Sequence, residues 1–251
     1  MNHPLISKIS FGLFLVGGLA ACGGGGGGGE VPVVNPPPAT SNLALLANQT
    51  VSACFDTNAG KTSNVAPQTI IARGGDPFGS YNWASSTFPS GTTIDALTGV
   101  FKSTGGTFNL RKGSYPFGVT VSDRSSTATG TVTLNVTEAN SGVVGGVPGV
   151  GCPTAVFQQD SSGSFSNLPD SNAGKPYGAN LFVMGGTPPY TSWTVATGSP
   201  PPGLVLEASN GVVRSTPFAS ASGSTYTFTV NVKDSTGATA IGGAAYKIKA
   251  N

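Results

Sequence analysis

The chain has 251 residues, of which only 9% are charged, with a formal net charge of +2, 38 glycines and 19 prolines. This balance offers neither the basic patch that nucleic acid requires nor an acidic tail, and its many Gly, Ser and Thr residues suit exposed strands joined by tight turns. The single histidine is His3, so Ser-His-Asp and Cys-His nucleophiles and histidine-ligated metals have almost nothing to build on.

Residues 1–21 read as a processing segment that lies outside the fold. Lys8 supplies a positive start, residues 9–19 an apolar run too short to span a bilayer as a mature helix, and Leu19-Ala20-Ala21-Cys22 closes it. That tetrapeptide resembles the bacterial lipobox. The resemblance implies cleavage before Cys22, acylation of Cys22 (palmitate or a similar chain) and a protein held to a membrane by its lipid. Gly23, where an inner-membrane retention signal would place Asp, implies the outer membrane. The plainer alternative is a secretory signal that happens to precede a cysteine. Residues 22–40 then form a tether, because Gly23 to Gly29 cannot pack and the prolines that follow favour an extended backbone. Fully stretched, it reaches on the order of 60 Å.

A first module is expected over residues 41–138. Leu43, Leu45 and Leu46, then Val51, Ala53 and Phe55, mark entry strands, and Ile70-Ile71 a further one before the turn at Gly74-Gly75. Asn82-Trp83-Ala84, Thr93-Ile94 and Val100-Phe101 follow. Residues 115–121 alternate Tyr115, Phe117, Val119 and Val121 with smaller neighbours, and Val132, Leu134 and Val136 share one face of the last strand. Short strands separated by Gly, Pro, Asn and Ser clusters predict an antiparallel sandwich.

Residues 139–151, with Gly142, Gly145, Gly146, Pro148, Gly149 and Gly151, have the composition of a linker. Over residues 152–251 the same signals return. Gly185-Gly186 answers Gly74-Gly75, Trp193 answers Trp83, residues 200–203 answer 88–91, Gly211 answers Gly99, and Tyr226, Phe228, Val230 and Val232 answer the strand at 115–121. The offsets stay between 110 and 112, about the length of one sandwich domain, so the expectation is two tandem all-β sandwich domains.

The order Gly-Gly-Thr-Pro-Pro-Tyr, a Trp strand, Pro-Pro-Pro-Gly-Leu, Asn-Gly-Val-Val and Tyr-Thr-Phe-Thr-Val-Asn-Val-Lys-Asp across residues 185–234 resembles the immunoglobulin-like (cadherin-like) repeat of bacterial surface proteins. It departs from that pattern at Arg214-Ser215-Thr216-Pro217, where the family usually has Ser-Gly-Thr-Pro. The resemblance implies a sandwich fold and a surface protein serving adhesion or recognition of a protein or glycan. A structural spacer, or an accessory part of an envelope assembly, is the alternative.

Little here carries chemistry. Trp83 and Trp193 could stack on a ligand, but sandwich domains commonly bury one Trp, and both are assigned to the core with Tyr115, Tyr226, Phe117 and Phe228. With Cys22 assigned to lipid, Cys54 and Cys152 are expected to pair in an exported protein, folding the linker back. Gly60-Lys61-Thr62 lacks the upstream glycine of a phosphate loop. Asp123 and Asp234 leave strands into Ser/Thr-rich turns and are expected to cap them, with Asp95 and Glu207 as a second repeat-equivalent pair. The segment at residues 94–101 resembles the I-D-x-x-T-G-x-I stretch of cadherin-like domains, which makes these four carboxylates weak calcium candidates. The further acidic motifs of those domains are missing, and calcium wants six to eight oxygens. The expectation is therefore no cofactor, no nucleic acid, no small-molecule substrate and no enzymatic activity.

Overall fold

Alternation decides the two longest strands. Gly113–Ser122 and Thr127–Ala139 run antiparallel, with Val121 opposite Ala128 and Phe117 opposite Val132, and bury Phe117, Val119, Val121, Val132, Leu134 and Val136 on one face. The computed structural model describes residues 42–251 except 64, 79, 106–108, 145, 217 and 244. No helix occurs among the described residues.

In the first repeat these two strands form a five-stranded sheet with Lys61–Ser63, Thr50–Asp56 and Asn82–Ala84. Thr50–Asp56 joins it in parallel to the end of Thr127–Ala139. The second repeat has the corresponding sheet of Thr191–Gly198, Thr225–Lys233 and Tyr246–Lys249. Each packs over its own apolar cluster. Phe55, Tyr81, Trp83, Phe101 and Phe117 fill the first, and Tyr177, Tyr190, Trp193, Phe228 and Tyr246 the second.

Two further five-stranded sheets are shared. One runs Gln158–Gln159, Val183–Met184, Gln68–Thr69, Val100–Ser103, Thr92–Ile94, and the other Ala44–Leu45, Ala72–Arg73, Gly178–Asn180, Val212–Ser215, Leu204–Leu206. Each takes two strands from one repeat and three from the other, and exchanging the repeats turns one list into the other. The register obeys the same symmetry. Ala179 lies opposite Arg73 and Met184 opposite Gln68, while Ala179 is the counterpart of Gln68 and Met184 of Arg73, each 111 positions on. Gly74 donates to the Gly178 carbonyl and Gly185 to that of Pro67, both at 2.8 Å, again as counterparts. The repeats thus meet across an internal two-fold, as two subunits do at an isologous interface.

Two sequence expectations are revised. Ile70 and Ile71 were read as one strand, but they sit at the break between Gln68–Thr69 and Ala72–Arg73, both fully buried, where the chain passes from one shared sheet to the other. Residues 139–151 are more than a linker, because Val143–Val144 and Val147–Pro148 pair as a hairpin. All described residues fall in one compact unit.

Candidate functional site

The aromatic residues singled out from sequence divide by depth. Trp83 and Trp193 are buried, and each lies over a glycine of positive φ, Gly99 and Gly211, where an added Cβ would come within 2.5 and 2.6 Å of the indole. Phe117 and Phe228 are buried, while Tyr115 and Tyr226 are half-buried. The two indoles with Phe117 and Phe228 support the fold from inside the cores, Tyr115 packs against the first core from its edge, and Tyr226 lies outside both clusters.

The carboxylates serve their own turns. Asp123 Oδ1 accepts from the amides of Ser125 and Ser126 at 2.7 and 2.6 Å, and its Oδ2 takes the amide of Asp76. Its counterpart Asp234 accepts from the amides of Thr236 and Ala238 and the Thr236 hydroxyl, and through Oδ2 from the amide of Thr187 at 2.9 Å. Asp95 holds the Leu97–Thr98 turn and lies 3.7 Å from Lys102, and Glu207 pairs with Arg214. Partial burial pushes Asp95 and Asp123 up, but their hydrogen bonds outweigh it and both lie below the ordinary carboxylate value. Asp234 is lowered chiefly by the Thr236 hydroxyl, and Asp56 chiefly by Ser141. Among the described residues no three Asp, Glu, Cys or His side chains gather around one point.

Cys54 and Cys152 form a disulfide with a Cα–Cα distance of 5.7 Å. Cys22 and the Leu19-Ala20-Ala21 stretch lie outside the described residues.

The turns at 74–78 and 185–190 build the junction between repeats. Tyr81 and Tyr190 hydroxyls donate to the carbonyls of Gly74 and Gly185 at 2.9 and 2.6 Å, and Tyr190 is buried. Phe78, at the end of the first turn, is 60% exposed. Two guanidiniums lie over its ring, Arg124 of the first repeat at 5.3 Å and Arg214 of the second at 5.2 Å. Arg124 is paired with Asp76 and Arg214 with Glu207, so an exposed aromatic ring is fixed by ion pairs from both repeats. A cleft of about 370 Å³, lined by Ser80, Asp95, Leu97 and Thr98 with Pro189, Ser209 and Asn210, also straddles the two repeats. Sequence reasoning missed both arginines. They lie far apart in the chain, and only the internal two-fold brings them to one ring.

Residues 152–248 match the He_PIG family model, described as "Putative Ig domain", which covers nearly the whole second repeat. The match describes the second repeat, and the first repeat carries the same series of strand and turn signals. No curated protein matches the chain. Among solved structures it is similar to a protocadherin GammaB4 extracellular domain, at 18% identity over 84% of this chain and 34% of that one (TM-score 0.29). It is similar to human protocadherin-24 EC1-2, at 13% identity over 82% and 96% (TM-score 0.29), and to an endo-fucoidan hydrolase of glycoside hydrolase family 107, at 15% over 84% and 29% (TM-score 0.28). The chain thus spans about a third of the first of these.

Proposed function

We propose that the chain is a non-enzymatic envelope lipoprotein, anchored through Cys22 to the outer membrane, whose paired repeats recognise a protein or glycan through the Phe78 cluster and the inter-repeat cleft lined by Ser80 and Pro189. The observation that carries this reading is Phe78 itself. A large apolar ring, 60% exposed and ringed by two arginines with their own carboxylates, costs solubility and serves neither core. Aromatic and arginine side chains held rigid at a surface are the residue types that dominate binding energy at interfaces. The anchor rests on the Leu19-Ala20-Ala21-Cys22 stretch and the glycine-proline tether, which would hold the folded part off a membrane.

The test is capture of envelope proteins and glycan-array binding by residues 41–251, with and without calcium, comparing wild type with Phe78→Ala and Arg214→Ala. Binding that Phe78→Ala removes without lowering Tm supports recognition. Absence of any partner, together with a disturbed envelope when the gene is deleted, would replace it with the structural-spacer reading.

A further inference from the structure

The junction between the repeats has the construction of a homodimer interface, although one chain supplies both sides. Its register is self-complementary, with Arg73 opposite Ala179 and Gln68 opposite Met184. Each core also takes one valine from the other repeat: Val100 belongs to the second cluster and its counterpart Val212 to the first. Nothing in such an interface requires that its two halves come from one chain.

The backbone that joins the halves is residues 140–151, and it is built unlike a passive linker. Its hairpin shows Val143 and Val147 to solvent at 70% and 67% exposure, and Val150 follows at 84%. Residues 139–157 carry no charge. Valine prefers extended backbone, and nothing in this segment would repel a copy of itself. The Cys54–Cys152 disulfide stands at its foot, joining a cysteine on the Thr50–Asp56 strand of the first repeat to the residue that opens the second.

We propose that a second copy of this chain is a partner for this junction, and that two copies exchange their second repeats about residues 140–151 to give a closed dimer. The hairpin straightens, and two such segments run antiparallel between the copies, covering valines that the monomer leaves exposed. Each junction keeps the contacts described above. Cys54 of one copy then bonds Cys152 of the other. Two bonds between copies replace two within them, so the exchange needs no net oxidation. A small-molecule thiolate opens a bond as a mixed disulfide and is displaced by the incoming cysteine thiolate.

The experiment uses the full-length protein in two differently tagged versions, mixed at high concentration, unfolded and refolded in a thiol/disulfide couple, then captured on one tag and run on a non-reducing gel. The expected result is a mixed-tag dimer that collapses to monomer on reduction, survives Cys22→Ser and is lost as a covalent species with Cys54→Ser. Gly146, at φ +83°, makes the hairpin turn, so Gly146→Val should raise the dimer share several-fold, and Val143→Ser with Val147→Ser should lower it. Monomer alone in both wild type and Gly146→Val, with circular dichroism showing that both refold, overturns the proposal, as does a covalent dimer that Cys54→Ser leaves intact.

Discussion

Asn180 Nδ2 donates to the carbonyl of Ile70 at 2.7 Å, while its Oδ1 accepts from the amide of Ala72 at 2.8 Å. A side chain of the second repeat therefore completes the backbone of the first where its strand breaks, and Asn180 is only 1% exposed. Asn180→Ala strands one buried carbonyl and one buried amide, each worth about 1–3 kcal/mol when left unpaired. The variant should lose roughly 2–4 kcal/mol by denaturant titration. A loss within error of zero would mean that water or a shifted backbone replaces the asparagine without cost.

Trp193→Ala should cost about 3–5 kcal/mol, as large aromatic truncations in a core do. Gly211→Ala should also destabilise, because φ is +69° and the new Cβ would meet the indole. In the Trp193→Ala background the clash disappears and only the backbone penalty remains. Thermal melts of the two single variants and the double variant check this, and strict additivity would show that the ring and the glycine do not meet.

Much of this was legible in the sequence because each signal was local. Alternation at 115–121 and at Val132, Leu134 and Val136 marks strands whose one face is buried, and Asp123 and Asp234 sit before the Ser and Thr residues whose amides they accept. The junction was not legible. Its strands are two or three residues long, too short for a period to show, and Ile70 and Ile71 are both buried, so alternation fails where the chain changes sheets. The turn that holds Phe78 is marked in the sequence by Gly74-Gly75 and Pro77, but the two arginines over its ring depend on that junction and were hidden for the same reason.

Acid should weaken the fold through the turn carboxylates. Asp56, Asp95, Asp123 and Asp234 all lie below their ordinary value of 3.8 in the folded chain. The unfolded chain therefore binds more protons between the two values, and the stabilisation is complete above the ordinary value and lost as pH falls through the lowered ones. Tm should be flat above about pH 5 and fall steeply below about pH 4. Asp123→Asn with Asp234→Asn should shallow that fall, and an unchanged acid slope would assign it to other groups.

Reducing the Cys54–Cys152 bond releases a constraint across a sequence separation of 98. In the chain-entropy account a loop of that size is worth about 4–5 kcal/mol, acting on the unfolded state. Cys54→Ser with Cys152→Ser should shift the denaturant midpoint down by that order while circular dichroism of the native protein stays unchanged. A native spectrum that changes as well would mean that the bond shapes the fold directly.

The central claim is that two sandwich-like repeats share sheets and one interface, and so fold as a single unit that fixes Phe78 between them. Calorimetry of residues 41–251 tests it most directly. One transition, with calorimetric and van't Hoff enthalpies equal and shifted as a whole by Trp193→Ala, is the expected result. Two separable transitions, one of them untouched by Trp193→Ala, would contradict it and return the chain to independent domains on a string.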